Sequence, residues 1–428
     1  MPKSSGVLLL VATARVDGYL GALQPQVIET SSVNVQALMN ENTQLKQRLK
    51  QLEPQKSNSP MHRNHGNVST VLDRGRLEAI GGQNRQVILT FVNKARLDFA
   101  TTWAAHVRRL GLTNWMIGAT DSTALNHLLD GGIPCFDLHT SGLPEGEWAW
   151  GGKSFHELGP TKVHLIRQVL TWGLELVLTD VDALVLREPF GFMARYPDAS
   201  YLTTTDQLAN TTADEEGLER HAGAAYNIGY LFFRPSALPL VDEWSRAVDK
   251  NPAGSWDQGV FNELAKKNQR SATKPLSSDR LFPSFDGKVI GGVLPLALFC
   301  GGHSYFVAQM PQRKGIRPFS VHTTFQYGGA DGKRWRLREA MLWEDEPSYY
   351  DPLGGLLRYE PDVPSSLLHP RGGMHAKDHI ALVEHQLAQL GSAFALARAL
   401  GRKLILPPLF CGFDKAWYCG VGLSSALL

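Results

Sequence analysis

The 428-residue sequence shows no apolar run long enough to span a bilayer. Near the N-terminus, residues 6–14 form an apolar stretch of nine residues that Arg15 and Asp17 interrupt. Nine residues are too few to cross a membrane and match a signal peptide poorly. From this stretch we expect either a soluble chain or one whose natural start lies further upstream.

The sequence also has little net charge and few cysteines. Its 43 Lys and Arg residues against 41 Asp and Glu leave a formal charge of +2, so no overall field indicates binding to nucleic acid or to an anionic membrane. The cysteines lack the spacing of a zinc site; they are Cys135, Cys300, Cys411 and Cys419. Four half-buried thiols are the simpler interpretation, and one or two disulfides are the alternative in an oxidising lumen.

Three common catalytic patterns are missing. The sequence contains no G-x-x-x-x-G-K-[ST], no H-E-x-x-H and no G-x-S-x-G, which excludes the usual P-loop NTPases, zincins and serine hydrolases.

The sequence does contain an Asp-Val-Asp motif between two apolar runs, at residues 180–182 of the stretch 175–186. Side chains alternate along a strand, so a strand ending here would point Asp180 and Asp182 to the same side. Two carboxylates between apolar flanks are costly unless a cation shares their charge. A hard divalent ion, Mn²⁺ or Mg²⁺, completed by substrate phosphates would do so, as in nucleotide-sugar transferases. The alternative is a solvated turn.

The hydrophobic pattern predicts strands that alternate with helices. Strands are predicted at 87–92, 115–119, 201–205 and 226–233, and helices at 97–110, at 159–172 with Pro160 in the first turn, at 239–248 and at 258–267. This alternation favours an α/β fold with an open, mostly parallel sheet. Ligands of such sheets bind beyond the carboxyl ends of the strands, where the two aspartates fall.

Further candidates for the site follow in the C-terminal half. His322 ends a short predicted strand and is a good third ligand for Mn²⁺, although a lone histidine is more often structural. A glycine-rich stretch after it carries Lys333 and Arg334, predicted as a loop that closes over a diphosphate. A solvated turn is the alternative for these two cations.

Two further pairs of interpretations concern residues near the predicted sugar. Asp257 and Gln258 are the catalytic candidates, beside the anomeric carbon, while capping of the helix that starts there is the structural alternative for Asp257. Lys162 is predicted to contact phosphate or sugar, with an ordinary surface lysine as the alternative. The full set of candidates for nucleotide-sugar binding is Thr90, Asp121, Lys162, Asn227, Lys333 and Arg334.

With these residues laid out, the chain resembles the plant extensin arabinosyltransferases, the xyloglucanase-resistance branch of glycosyltransferase family 77. The matching stretches run in order along the chain: Lys-Ser-Phe-His at 153–156, Thr-Asp-Val-Asp at 179–182, Ala-Ala-Tyr-Asn-Ile-Gly at 224–229, Trp-Asp-Gln at 256–258, Phe-Asn-Glu-Leu at 261–264, Ser-Val-His-Thr-Thr-Phe-Gln-Tyr at 320–327, Gly-Lys-Arg at 332–334 and Leu-Arg-Glu-Ala-Met at 337–341. Each stretch is modest alone, and the ordered set is specific.

The resemblance implies a GT-A type, Rossmann-like sheet and retaining transfer from a UDP-sugar. It implies UDP-β-L-arabinofuranose as donor, arabinosylated hydroxyproline of extensin as acceptor, and a Golgi enzyme with a membrane anchor that this sequence does not display. By the same resemblance Asp180 and Asp182 match the metal-binding motif and His322 the metal-binding histidine. Transfer of galactose or xylose to another glycan, or a non-catalytic sugar-binding scaffold, are the alternatives.

Changes in composition predict four segments. Residues 1–85 are predicted as stem and linker, with leucines at 38, 45, 49 and 52 in about two heptads. Residues 86–350 form the predicted transferase domain and 351–374 a linker. Residues 375–428 are predicted as a partial α/β extension that contains a helix at 379–400 and a strand at 403–408.

Overall fold

The computed structural model describes residues 11–12, 70–138, 153–208, 217–219, 225–250, 256–269 and 274–410, and for 11–12 and 153–157 it describes the backbone alone. The predicted stem helix, Cys411 and Cys419 lie outside these residues. The chain divides into two compact units, His62–Glu344 and a second made of Met1–Met61 with Asp345–Leu428. The four segment bounds predicted from the sequence stay predictions.

Strands and helices alternate along the chain. The strands are β1 (Val11–Ala12), β2 (Gln86–Val92), β3 (Trp115–Ala119), β4 (Cys135–Asp137), β5 (Glu175–Thr179), β6 (Ala183–Val185), β7 (Tyr201–Thr205), β8 (Tyr226–Phe233), β9 (Phe282–Ser284), β10 (Val289–Val293), β11 (Phe299–Gly301), β12 (Ser320–His322), β13 (Leu356–Arg358) and β14 (Lys403–Leu404). The α-helices are α1 (Arg74–Gly81), α2 (Leu97–Arg109), α3 (Ser122–Asp130), α4 (Lys153–Thr171), α5 (Phe190–Met193), α6 (Leu238–Lys250), α7 (Asp257–Lys266), α8 (Met310–Lys314), α9 (Gly329–Glu339), α10 (Pro347–Tyr350), α11 (Ser365–Leu368) and α12 (Ala376–Leu400).

An eight-stranded sheet forms the centre of the larger unit, in the order β4-β3-β2-β5-β8-β7-β10-β9. Strands β4, β3, β2, β5, β7 and β10 run in one direction, and β8 and β9 run in the other. The predicted open, mostly parallel α/β sheet is therefore confirmed. The carboxyl ends of β3, β5 and β7 lie at one edge, which places the residues that follow them at that edge.

Buried strands hold this sheet between two apolar layers. Along β2, Ile88 and Val92 belong to one core cluster and Val87, Leu89 and Phe91 to the other. Helix α2 covers the first face, and α4, α6 and α7 cover the second. A strand covered on both faces needs an apolar side chain at nearly every position, which explains the continuous apolar runs of the sequence.

Helix α4 begins earlier than predicted. The sequence places its first turn at Pro160, but the helix starts at Lys153 and Pro160 lies inside it. A proline inside a helix removes one backbone hydrogen bond. Burial of Val163, Ile166, Val169 and Leu170 in the core compensates for that loss.

The Asp-Val-Asp motif lies in a turn rather than on a strand. Strand β5 ends at Thr179, the amide of Ala183 donates to the carbonyl of Asp180, and β6 starts at Ala183. Strand β6 then pairs antiparallel with β12, which pairs parallel with β11 in a small three-stranded sheet. Within this pairing Ala183 lies opposite His322. The small sheet thus brings His322 beside the motif, although about 140 residues separate them.

The other unit contains a three-stranded sheet in the order β1-β13-β14 and the long helix α12. Leu357, Ala397 and Leu400 form its small buried cluster. The strand predicted at 403–408 was too long, because only Lys403–Leu404 pairs, with β13. Ile405 and Leu406 are exposed. In the part of the chain that the structure describes, no helix has the length and apolar character that a membrane crossing needs.

Candidate functional site

Three potential metal ligands meet at the edge of the sheet. One ligand atom each from Asp180, Asp182 and His322 lies within 4.8 Å of the others. The Nε2 atom of His322 is 3.8 Å from Asp180 Oδ2 and 3.6 Å from Asp182 Oδ1. These separations suit atoms that surround one cation, since bonds to Mn²⁺ and similar ions are about 2.0–2.6 Å long.

Two lysines hold the outer oxygens of the same carboxylates. The buried Lys162 donates to Asp180 Oδ1 at 2.9 Å and to the carbonyl of Ile228 at 2.8 Å. Lys333 donates to Asp182 Oδ2. The two aspartates therefore have counter-charges that their neighbours in sequence do not supply. For this reason the charge of the two aspartates alone does not require a metal ion. The argument for a metal ion depends on Asp180 Oδ2 and Asp182 Oδ1, the two oxygens that face His322 Nε2.

The carboxylate of Asp182 is held in its charged form. Burial by itself would raise its pKa, but the charge and the hydrogen bond of Lys333 lower it well below the ordinary carboxyl range, and His322 lowers it further when its imidazole is protonated. Thr323 Oγ1 also donates to Asp182 Oδ2, at 2.8 Å. A metal ligand must be deprotonated, so this environment prepares Asp182 for that role.

Strand β8 closes the other side of the cluster. The carbonyl of Gly229 accepts from the amide of Asp180 at 2.8 Å. A Cβ at Gly229 would lie 2.1 Å from His322 Cε1 and 2.9 Å from Asp180 Oδ2. Only glycine therefore leaves room for the imidazole here.

The donor set fits a divalent cation. Two carboxylate oxygens and a neutral imidazole nitrogen are ligands that Mn²⁺ accepts, and the paired outer oxygens keep the carboxylates in place. The arrangement can hold a divalent ion at the carboxyl ends of the central strands.

The sequence comparisons assign the chain to a family. Residues 110–337, more than half of the chain, match the family model described as nucleotide-diphospho-sugar transferase. The chain belongs to this family. Arabinosyltransferase XEG113 of Arabidopsis thaliana is 42% identical over 341 residues, which cover 78% of this chain and 51% of that protein. Arabinosyltransferase RRA2 of the same plant is 26% identical over 194 residues, which cover 42% of this chain and 44% of that protein.

The chain spans about half the length of the curated relatives it matches. Among solved structures, the galactosyltransferase LgtC in complex with donor and acceptor sugar analogs is similar, with 10% identity and a TM-score of 0.35 over 62% of this chain and 99% of that one. The assignment to the nucleotide-diphospho-sugar transferase family rests on the sequence matches.

Two of the transferase's candidate residues lie in one hydrogen-bonded group. Gln258 Nε2 donates to Asp206 Oδ2 at 2.9 Å, and its Oε1 accepts from the amide of Ile228 at 3.4 Å. Asn227 Nδ2 donates to Asp206 Oδ1 at 2.8 Å. The structure thus brings Gln258 and Asn227 together through Asp206. Their roles toward the substrate stay predictions.

Asp257 is the first residue of α7. Its Oδ1 accepts from the amide of Gln258 at 2.9 Å, and its backbone carbonyl accepts from Trp244 Nε1 at 3.0 Å. Asp257 also packs against α4, because a Cβ added to Gly159 of that helix would lie 3.0 Å from the Cβ of Asp257. Asp257 thus accepts from an amide in the first turn of α7, while Trp256 occupies the capping position, and the proposed catalytic role of Asp257 stays a prediction.

Asp121 has both carboxylate oxygens engaged by backbone amides. Oδ1 caps α3 by accepting from Ala124 at 2.8 Å, and Oδ2 accepts from Lys94 at 2.8 Å. The residue lies at the predicted sheet edge, just after β3, where it ties two loops together. Its contact with the nucleotide stays a prediction.

Lys333 and Arg334 lie in helix α9, not in the predicted glycine-rich loop. Gly328 adopts a left-handed conformation with φ of 78°, and the chain then closes so tightly that a Cβ at Gly332 would lie 1.5 Å from the carbonyl oxygen of Tyr327. The glycines start a helix instead of a loop. Arg334 pairs with Asp98 at the start of α2, whereas Lys333 pairs with Asp182.

Thr90 lies within β2, and its side chain is fully buried. In the described part of the chain its Oγ1 has no hydrogen-bond partner. A buried hydroxyl without a partner costs about 1–3 kcal/mol relative to a satisfied one. Its predicted contact with the donor would need the nucleotide to reach into the sheet.

We expect Thr90→Val to stabilise the transferase, by about 1 kcal/mol. The substitution keeps the shape of the side chain and removes the unsatisfied hydroxyl. Thermal unfolding of both proteins measures the effect, and the KM for the UDP-sugar, measured in parallel, tests donor contact. A lower unfolding temperature together with a raised KM for the UDP-sugar would contradict this expectation. It would show that the Thr90 hydroxyl makes a hydrogen bond when the UDP-sugar is bound.

Three contributors were not found from the sequence. Thr323 and Gly229 lie inside the stretches that support the resemblance, but neither carries a chemical signal by itself. Asp206 follows the Thr-rich strand β7 and reads as an ordinary strand-end residue. Its only available signal was its position at the carboxyl end of a predicted strand, the edge where Asp180 also falls.

Proposed function

We propose that this glycosyltransferase is a metal-dependent, retaining enzyme that transfers L-arabinofuranose from UDP-β-L-arabinofuranose to hydroxyproline-linked arabinosides of extensin-type glycoproteins. The observation that carries the proposal is the 42% identity to a protein named an arabinosyltransferase over 78% of this chain. The Asp180, Asp182 and His322 cluster supports the metal dependence. We also propose the Golgi as its compartment, on the family resemblance.

In this proposal Asp180 Oδ2, Asp182 Oδ1 and His322 Nε2 hold Mn²⁺ or Mg²⁺. The bound ion supplies a positive charge that stabilises the departing diphosphate. Lys162 keeps Asp180 in position from the protein side, where it is buried. Lys333 is partly exposed and pairs with the carboxylate of Asp182, so its ammonium adds positive charge where the diphosphate leaves.

We place the transferred sugar and the acceptor on the side of the Asp180, Asp182 and His322 cluster where β8 and α7 lie. Asp257 and Gln258 are proposed to face the transferred sugar, where a carboxylate stabilises positive charge at the anomeric carbon. Gln258 is held at both ends of its amide by Asp206 and Ile228, which fixes its position before any substrate binds. Such fixed groups lower the barrier without reorganising during the reaction.

The test is a donor screen with the purified full chain. We expect Mn²⁺-dependent release of UDP to be fastest with UDP-arabinofuranose, compared with UDP-galactose and UDP-xylose, and to stop when EDTA removes the metal. A peptide that bears arabinosylated hydroxyproline should gain one pentose by mass spectrometry.

The other outcomes separate the alternatives. Preference for UDP-galactose or UDP-xylose would assign the chain to another glycan. Binding of UDP and Mn²⁺ without turnover of any of the three donors would indicate a sugar-binding scaffold.

A further inference from the structure

We infer that Asp206 is a positioning residue for the metal site, acting through Asn227 on the imidazole of His322. The inference rests on the metal role proposed for the Asp180, Asp182 and His322 cluster. Asp206 lies directly after β7, on the opposite side of β8 from the two aspartates in the order of the sheet.

The first step is the orientation of two side-chain amides. A carboxylate has only acceptors, so each oxygen of Asp206 must face an NH₂ group. Oδ1 accepts from Asn227 Nδ2 at 2.8 Å and Oδ2 accepts from Gln258 Nε2 at 2.9 Å. Asp206 therefore fixes which end of each amide carries the oxygen.

The second step is what the oriented amide of Asn227 presents. Its Oδ1 accepts from the amide of Gly229 at 2.8 Å and lies 3.2 Å from Nδ1 of His322. An oxygen at this place favours the tautomer in which Nδ1 carries the proton. The amide of Gly229 supports the same orientation, so Asp206 and the backbone hold Asn227 from two sides.

The third step concerns the other ring nitrogen. With the proton on Nδ1, Nε2 keeps its lone pair, and Nε2 is the atom that faces Asp180 Oδ2 and Asp182 Oδ1. Only a nitrogen with a free lone pair can bind a metal ion. The hydrogen-bonded series Asp206–Asn227–His322 thus presents Nε2 as a ligand, in the way that groups behind a metal ligand commonly fix its orientation.

The test is the affinity for Mn²⁺, measured on the full chain from the EPR signal of the free ion, without any substrate. Asp206→Ala removes both carboxylate oxygens, so Asn227 Nδ2 loses the acceptor that fixes its amide from this side. We expect Mn²⁺ to bind about 10-fold to 100-fold more weakly. Asp242→Ala, which removes an exposed carboxylate that pairs with Arg167 on the outer helices, is the matched control and should bind like the wild type.

A double-mutant cycle distinguishes positioning from general damage. If Asp206 acts through Asn227, Asp206→Ala combined with Asn227→Ala should weaken Mn²⁺ binding no more than Asn227→Ala alone. If Asp206→Ala does not fold, Asn227→Ala removes the link itself and should show the same weaker binding.

Two results would overturn the inference: wild-type Mn²⁺ affinity in a folded Asp206→Ala protein, or additive losses in the double variant. Absence of Mn²⁺ binding by the wild type would instead contradict the metal role in the proposed function. The two failures are therefore distinguishable.

Discussion

Asp182→Asn is expected to lower the kcat/KM for UDP-sugar turnover on the order of 1,000-fold. A metal ion at a developing charge contributes several kcal/mol, and each 1.36 kcal/mol is tenfold in rate. The variant keeps the shape of the side chain but replaces one oxygen with an NH₂ group. That group faces either the ammonium of Lys333 or the Nε2 side of the cluster, and both positions need an acceptor.

Initial rates over a range of Mn²⁺ concentrations measure this effect, together with metal affinity and thermal unfolding. Asp242→Asn, which removes an exposed carboxylate with an arginine partner, is the control for loss of one negative charge and should keep wild-type rates. A fully active Asp182→Asn protein would contradict the proposed metal site. Loss of activity together with loss of cooperative unfolding would show only that the fold requires Asp182.

Local patterns in the sequence were sufficient for the framework of the sheet. The runs at Trp115–Ala119, Tyr201–Thr205 and Tyr226–Phe233 form strands with the predicted bounds. Each run is short, buried along its whole length and rich in aliphatic, aromatic or β-branched residues, so its structure depends little on distant parts of the chain. The α/β class follows from the order of such runs.

The details of the site depend on contacts that no local pattern displays. The alternation rule placed Asp180 and Asp182 on a strand, yet they share a side because a turn carries them and β12 pairs with β6. Lys162 and Lys333 neutralise them from positions 18 residues before and 151 residues after. The sequence could therefore propose the three ligands, but not the counter-charges that hold them.

Asp206 illustrates the same limit more strongly. Its importance comes from two amides, one 21 and one 52 residues away, that meet at its two oxygens. Aspartate at the end of a strand is common in turns, so its type alone predicts solvent exposure. Only the strand order β5-β8-β7, with β8 between the two aspartate-bearing edges, reveals the link to His322.

Gly229→Ala is expected to displace His322 and to lower both Mn²⁺ affinity and turnover, the latter on the order of 100-fold, since fixing the third ligand contributes a few kcal/mol. The added Cβ would lie 2.1 Å from Cε1 and 2.6 Å from Nδ1 of His322, so the imidazole or the strand must move. Overpacking of a buried site costs about 1–3 kcal/mol, which a domain of this size tolerates, so the variant should fold with a lower unfolding temperature.

Gly131→Ala is the matched control, because its Cβ would meet the nearest atom at an ordinary 3.4 Å at the end of a surface helix. EPR titration with Mn²⁺ and initial rates measure the two effects in the same preparations. Wild-type Mn²⁺ affinity in a folded Gly229→Ala protein would remove His322 from the set of metal ligands and leave the two aspartates alone.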